Sequence, residues 1–145
     1  MEEERIKRYS DKIEYLNQTI ENLCDWVDGI DSKEFVENTD LQKQYGIYHA
    51  FQIGIEIITD LTSMIVKDLR TIPKDDYSNI KIIENKKIIS SILAAKLREA
   101  NGLRYRIVHD YNGLDDSIAF NRLKHLLNHF KEYKVKVKEW LKTNY

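Results

Sequence analysis

From about Asp40 to Arg70 the chain places Leu41, Tyr45, Tyr48, Phe51, Ile55, Ile58, Leu61, Ile65 and Leu69 three or four residues apart. That spacing lines one side of an α-helix and neither face of a strand, whose side chains repeat every second residue. Ile53, Ile57 and Met64 widen the stripe beyond what a one-sided surface helix needs. The segment is therefore expected to be a central helix, or one that faces a partner. At about thirty residues it would span roughly 45 Å.

The rest of the chain follows the same rule. Ile6, Tyr9, Ile13, Leu16, Ile20, Leu23, Val27 and Ile30 form a first stripe, which Gly29 and the polar run after Ile30 end. The lone proline, Pro73, sits in TIPKDDYSN, residues 71–79, the clearest loop. A third segment, about Asn79 to His109, carries Ile82, Ile83, Ile88, Ile89, Ile92, Leu93, Leu97, Leu103, Ile107 and Val108, with Asn101-Gly102 as its candidate kink or break. Asn112-Gly113 signals a turn, and Asp115, Asp116 and Ser117 supply caps for a last helix through Leu123, Leu126, Leu127, Phe130, Val137, Trp140 and Leu141. Four such helices with short connections predict an all-α, antiparallel four-helix bundle, a single elongated domain over residues 1–145 whose long flanks suit dimerisation.

Charge excludes some functions. Twenty-three Lys and Arg against 24 Asp and Glu leave no global field to attract nucleic acid or a membrane, so any anionic partner must meet a local patch. Cys24 is the only cysteine, which rules out an intramolecular disulfide framework and points to the cytoplasm, with Cys24 itself a small core hydrophobe. The start, MEEERIKRYS, is charged where a signal peptide would be apolar, and Glu56 and Asp60 interrupt the greasiest stretch, so no membrane segment is expected.

The chemistry-bearing residues crowd into 104-RYRIVHDY-111. Imidazole can take and give a proton near neutral pH, and guanidinium can hold a phosphoryl oxygen at two points. Arg104 and His109 together therefore suit phosphodiester cleavage of RNA, where the 2′-hydroxyl already supplies the nucleophile. On a continuous helix, however, Arg104 and Tyr111 share a face while His109, five residues from Arg104, points elsewhere. Convergence requires the helix to loosen near His109 or a second copy of the chain to bring the missing group. The competing reading is that Arg104, Arg106 and His109 cap a helix C-terminus, where the dipole and free carbonyls favour positive donors.

Arg104, His109 and Tyr111, read as R-x4-H-x-Y, resemble the signature of the HEPN superfamily and specifically of HepT-like proteins. An apolar pair precedes the histidine in ANGLRYRIVHDY, Asp110 precedes the tyrosine, and YHAFQIGIEIITDL, with Glu56 inside an apolar run, is similar to the family's second helix. The resemblance implies a homodimer whose motifs face a shared cleft and which cuts RNA without metal or other cofactor. It implies Arg104 and His109 as the catalytic pair, a minimal nucleotidyltransferase as antitoxin partner, and Tyr111 as the hydroxyl whose adenylylation silences the toxin. Glu56, Arg106 and Asp110 are candidate supporting residues, with Glu56 either orienting Arg104 or His109 from the neighbouring helix or reaching water at the bundle edge. Tyr105 departs from the pattern, since a small polar residue usually follows the motif arginine.

Other features carry less. KEYKVKVKEWLK, with Lys131, Lys134, Lys136, Lys138 and Lys142 interleaved with Tyr133 and Trp140, is either a solvated helix face or a track for an RNA backbone with stacking rings. His125 and His129 have helical metal-pair spacing without an evident third ligand, and His49 is an ordinary helix position. The alternative to a ribonuclease is a catalytically silent helical module for interaction or for nucleotide or RNA binding.

Overall fold

The structure, a computed structural model, describes residues 2–145. Among them there are six helices and no strands: α1 Glu3–Val27, α2 Ser32–Asn38, α3 Leu41–Asp68, α4 Asp76–Asn85, α5 Ser91–His109 and α6 Asp116–Asn144. The all-α expectation holds, with four long helices and two short ones. Five helices begin at an Asp or Ser whose side chain accepts the N–H three residues on: Asp31, Asp40, Asp75, Ser90 and Asp115. Each such cap is worth about 1 kcal/mol over alanine.

Cross-helix pairs fix the directions. Arg5 with Asp68 and Lys12 with Asp60 set α1 antiparallel to α3, Arg104 with Glu56 joins α5 to α3, and the short turn at 110–115 reverses the chain from α5 into α6. Lys124 donating to the Ile30 carbonyl, and Trp140 against Tyr9, set α6 antiparallel to α1. The long helices therefore run up, down, up, down, and all six helices contribute to one hydrophobic core.

Three expectations are corrected. The third segment is two helices, and it breaks at residues 86–90, whereas α5 runs unbroken through Asn101-Gly102. Lys87 adopts φ 60°, its N–H reaches the Glu84 carbonyl at 2.9 Å, and the Ile88 N–H reaches the Ile83 carbonyl at 3.0 Å. That is the left-handed helix stop usually built with glycine. Gly102 meets nothing that a Cβ would disturb. Gly29 does end the first helix, standing at φ 71° directly after the Asp28 cap, but the polar run after Ile30 folds into α2 instead of forming part of the stop. Phe35 anchors α2 by stacking on Phe120 at 4.3 Å. The loop after α3 is shorter than read, because Asp75 starts α4 inside it.

At one end of the bundle α3 and α6 begin and α5 ends, and the Tyr48 hydroxyl ties the two starts together by donating to Asp116 Oδ1 at 2.5 Å. Burial first, and then Asp116, push the Tyr48 hydroxyl well above its ordinary range. Leu41 and Tyr45, which open the stripe of α3, are exposed there, so the stripe faces the core only from Ile47 onward.

Candidate active site

Helix α5 buries Leu93, Ala94, Leu97, Ala100 and Leu103, and after Leu103 only the half-buried Ile107 still packs against the core. The next residues are the motif. Arg104 turns toward α3, where its Nη2 lies 3.7 Å from Glu56 Oε1, and its shielded Nε has no hydrogen-bond partner. Glu56 is not buried in the apolar face: its side chain is 51% exposed at the edge of α3, where Gln52 also donates to it at 3.2 Å. A carboxylate there costs little desolvation and can hold the guanidinium while leaving it reachable.

His109 is exposed and ends α5. Its imidazole packs against the Tyr105 ring one turn earlier, with centroids 4.4 Å apart and planes at 35°. Arg106 and Asp110 are exposed, and their linkage is through the backbone, the Asp110 N–H donating to the Arg106 carbonyl at 2.9 Å. Asp110 leaves the helix at φ −124°, and Tyr111 stands in the following turn, 77% exposed.

The helix does not loosen before His109, and among the described residues no hydrogen bond or ion pair joins Arg104, His109 and Tyr111. One chain thus offers the three groups at one bundle end without assembling them. The capping reading finds no support in the contacts either: Arg104 engages Glu56 and His109 engages a ring, while the free carbonyl of Arg106 is met by the backbone.

Other candidates separate clearly. Tyr133 is wholly buried, its hydroxyl 2.7 Å from Thr62 Oγ1 and donating to the Ile58 carbonyl at 3.2 Å, and Trp140 packs edge-on to Tyr9 at 6.0 Å. The rings of the lysine-rich run therefore face inward and offer nothing for stacking, because the same helix must supply the core. Lys131, Lys138 and Lys142 remain on the surface, whereas Lys134 bonds Asn17 and Lys136 pairs with Glu139 at 3.5 Å. His125 Nδ1 is 2.7 Å from the Asn121 carbonyl, and His129 Nδ1 is 3.5 Å from Glu132. His49 is exposed on α3, and Cys24 is partly buried against the core. The sequence reading missed the Tyr105–His109 stack, which its i,i+4 spacing already signalled, and the Tyr48–Asp116 bond, which no local signal announces.

Among the described residues no helix is long and apolar enough to cross a membrane. The family model described as "Ribonuclease HepT-like" matches residues 16–137. Two proteins of Archaeoglobus fulgidus, each named "Putative RNase", are 32% identical over 83% of both chains and 30% identical over 92% of both chains. Among solved structures, the tri-AMPylated HEPN toxin of Shewanella oneidensis in complex with MNT antitoxin superposes with a TM-score of 0.79 at 23% identity, covering 96% of this chain and 99% of that one. YutE from Bacillus subtilis, described as a cytosolic protein of unknown function, superposes at 0.70 with 16% identity, over 93% of this chain and 92% of its own. The family match and the two archaeal relatives take in the end of α5 and the turn after it, with the half-buried Arg104 and the exposed His109 and Tyr111, and the chain belongs to the HepT-like ribonuclease family.

Proposed function

We propose that this chain is a metal-independent endoribonuclease toxin of a HEPN/nucleotidyltransferase pair, active as a homodimer in the cytoplasm. The observation that carries the reading is the end of α5. Arg104, half-buried, and His109, exposed, are presented there by the last turns of a helix that Ile107 still seats on the core, in a ribonuclease family, with Arg104 against Glu56 and His109 against the Tyr105 ring. Two such ends facing across a two-fold axis would supply two histidines and two arginines to one phosphodiester.

His109 of one subunit takes the proton of the 2′-hydroxyl, and that oxygen attacks the adjacent phosphorus. His109 of the partner subunit gives a proton to the departing 5′-oxygen. Arg104 holds the non-bridging oxygens as charge builds on the phosphorane. The products are a 2′,3′-cyclic phosphate and a 5′-hydroxyl, and the two histidines end with their protonation states exchanged. Glu56 orients Arg104 from α3.

Tyr111 is the hydroxyl that the antitoxin adenylylates. Its exposure lets a second enzyme reach it, and its place two residues after His109 puts each added phosphate where the RNA phosphate must sit, so charge repulsion and bulk silence the site. The solved Shewanella toxin is itself tri-AMPylated and bound to MNT antitoxin, which supports the same arrangement here.

The rival reading, a silent interaction module, draws on the exposed Leu41, Tyr45, Val108 and Ile118 at the same bundle end. Cleavage of cellular RNA in the presence of EDTA, by protein whose intact mass establishes an unmodified Tyr111, decides between them. The expected result is cutting with cyclic-phosphate ends, reduced about 10²–10⁴-fold in His109→Ala. Equal activity in the variant, or none in the unmodified wild type, refutes the ribonuclease.

A further inference from the structure

Tyr105 is 60% exposed and lies outside the core, and its ring packs against the His109 imidazole with centroids 4.4 Å apart and planes at 35°. An aromatic residue so exposed contributes little stability, yet this one is held beside the proposed catalytic base. We propose that Tyr105 is the base-stacking residue of the site: it takes the nucleobase of the nucleotide whose 2′-hydroxyl His109 deprotonates. The inference rests on the ribonuclease reading and adds to it the side chain that seats the base.

Connectivity in RNA gives the reason. The 2′-hydroxyl sits on the sugar carbon next to the one that bears the base, so a histidine in contact with that hydroxyl has the same nucleotide's base within a side chain's reach. Tyr105 is the aromatic ring one helical turn from His109 and in contact with it. The imidazole covers part of the ring and fixes its plane, and the open remainder is an apolar face available to a base. A base in a duplex has both faces covered and cannot use it, whereas an unpaired base can. Stacking of this kind tolerates any base, so it selects strandedness more than sequence.

The test uses the full-length protein, unmodified at Tyr111, with Tyr105→Phe and Tyr105→Leu. Short oligoribonucleotides cut at a single bond are compared with versions whose nucleotide on the 5′ side of that bond is abasic but keeps its 2′-hydroxyl. In parallel, binding is read by fluorescence anisotropy on an oligonucleotide that is 2′-deoxy at that position and cannot be cut. Tyr105→Phe is expected to match the wild type. Tyr105→Leu is expected to raise KM and the dissociation constant about five- to hundredfold on the natural sequence, the range for one base-aromatic stack, with no added effect on the abasic one. A loss in Tyr105→Phe as large as in Tyr105→Leu, an unchanged Tyr105→Leu, or an equal loss on the abasic substrate overturns the proposal. Conversion of the Tyr105→Leu dimer to monomer in sedimentation also overturns it and assigns the ring to a protein interface. If the wild type does not cut at all, the ribonuclease reading has failed, and anisotropy with an unpaired oligonucleotide of uniform sequence, intact or fully abasic, still decides whether Tyr105 stacks on a base: equal binding by wild type and Tyr105→Leu overturns it.

Discussion

Replacing Glu56 by glutamine removes one charge and keeps the side chain's shape, which isolates what the Arg104 contact does. At 3.7 Å, two unit charges attract by about 1 kcal/mol in water and about 4 kcal/mol at an effective dielectric near 20. Both side chains are substantially exposed, 32% for Arg104 and 51% for Glu56, so the water limit is closer, and pairs of this kind are worth about 0–1 kcal/mol. Glu56→Gln should therefore lower unfolding stability by less than about 1 kcal/mol in urea denaturation. If the carboxylate serves to aim Arg104, cleavage falls by no more than about fivefold, the rate equivalent of the same 1 kcal/mol. Arg104→Ala, which removes the group proposed to meet the phosphorane, should cost about 10²–10³-fold. The decisive comparison is the double variant: with Arg104 absent, Glu56→Gln should change kcat/KM no further. A loss in Glu56→Gln as large as in Arg104→Ala would place Glu56 in the chemistry itself. A loss that persists in the Arg104→Ala background would mean that Glu56 acts through some other group. A stability loss above about 2 kcal/mol would contradict its exposed position.

Two predictions concern the scaffold. Lys87 holds φ 60°, which costs a residue with a Cβ roughly 1–2 kcal/mol, and Lys87→Gly should recover about 0.5–1 kcal/mol after glycine's own entropy loss, read as a higher urea midpoint at constant m; a lower midpoint would mean that the lysine side chain contributes more than the strain. Tyr9 and Tyr133 are wholly buried and their hydroxyls are pushed above the ordinary value near 10, chiefly by burial, with Asp68 adding to the effect on Tyr9. Below pH 10 both states keep these protons and stability is unaffected; above it the unfolded chain releases protons that the folded chain holds. Stability should then fall with slope of about 1.4 kcal/mol per pH unit for each tyrosine, about 3 for the pair, and Tyr133→Phe should remove one share, as measured by urea unfolding between pH 9.5 and 11.5. An unchanged slope in that variant would refute the assignment.

What was legible in the sequence follows the physics of each signal. Helical periodicity needs several turns to register, so α1, α3 and α6 stand out in the stripe pattern while α2, seven residues long, does not. Its evidence was finer: Asp31 at the cap, Glu34 three residues later and Phe35 as the anchor. The break between α4 and α5 was hidden because a lysine occupies the left-handed position where glycine is the usual marker, and the Ser90 cap was the remaining local sign. Gly102 misled in the opposite direction. It is a helix-weakening residue whose cost of about 1 kcal/mol the burial of Leu97, Ala100 and Leu103 on the same helix outweighs. The motif itself could be located from spacing, but the pairing of Arg104 with Glu56 depends on the register between α3 and α5, which only the packed bundle sets.

The division of labour along α5 explains how a chemically exposed site can sit on a stable scaffold. Up to Leu103 the helix is held by side chains 3% exposed or less, each contributing on the order of 1.5–3 kcal/mol for a full Leu-sized burial. Beyond it, Tyr105, Arg106, Val108, His109, Asp110 and Tyr111 are all exposed. Changes there should leave unfolding nearly untouched, since surface substitutions usually shift stability by no more than about 0.5 kcal/mol. On the proposed reading, the same exposure leaves Tyr111 within reach of the antitoxin's active site, and its modification silences the enzyme without any change in the fold. The bundle's part is to carry that surface rigidly, with the Tyr48–Asp116 bond fixing the start of α6 against α3 beside it.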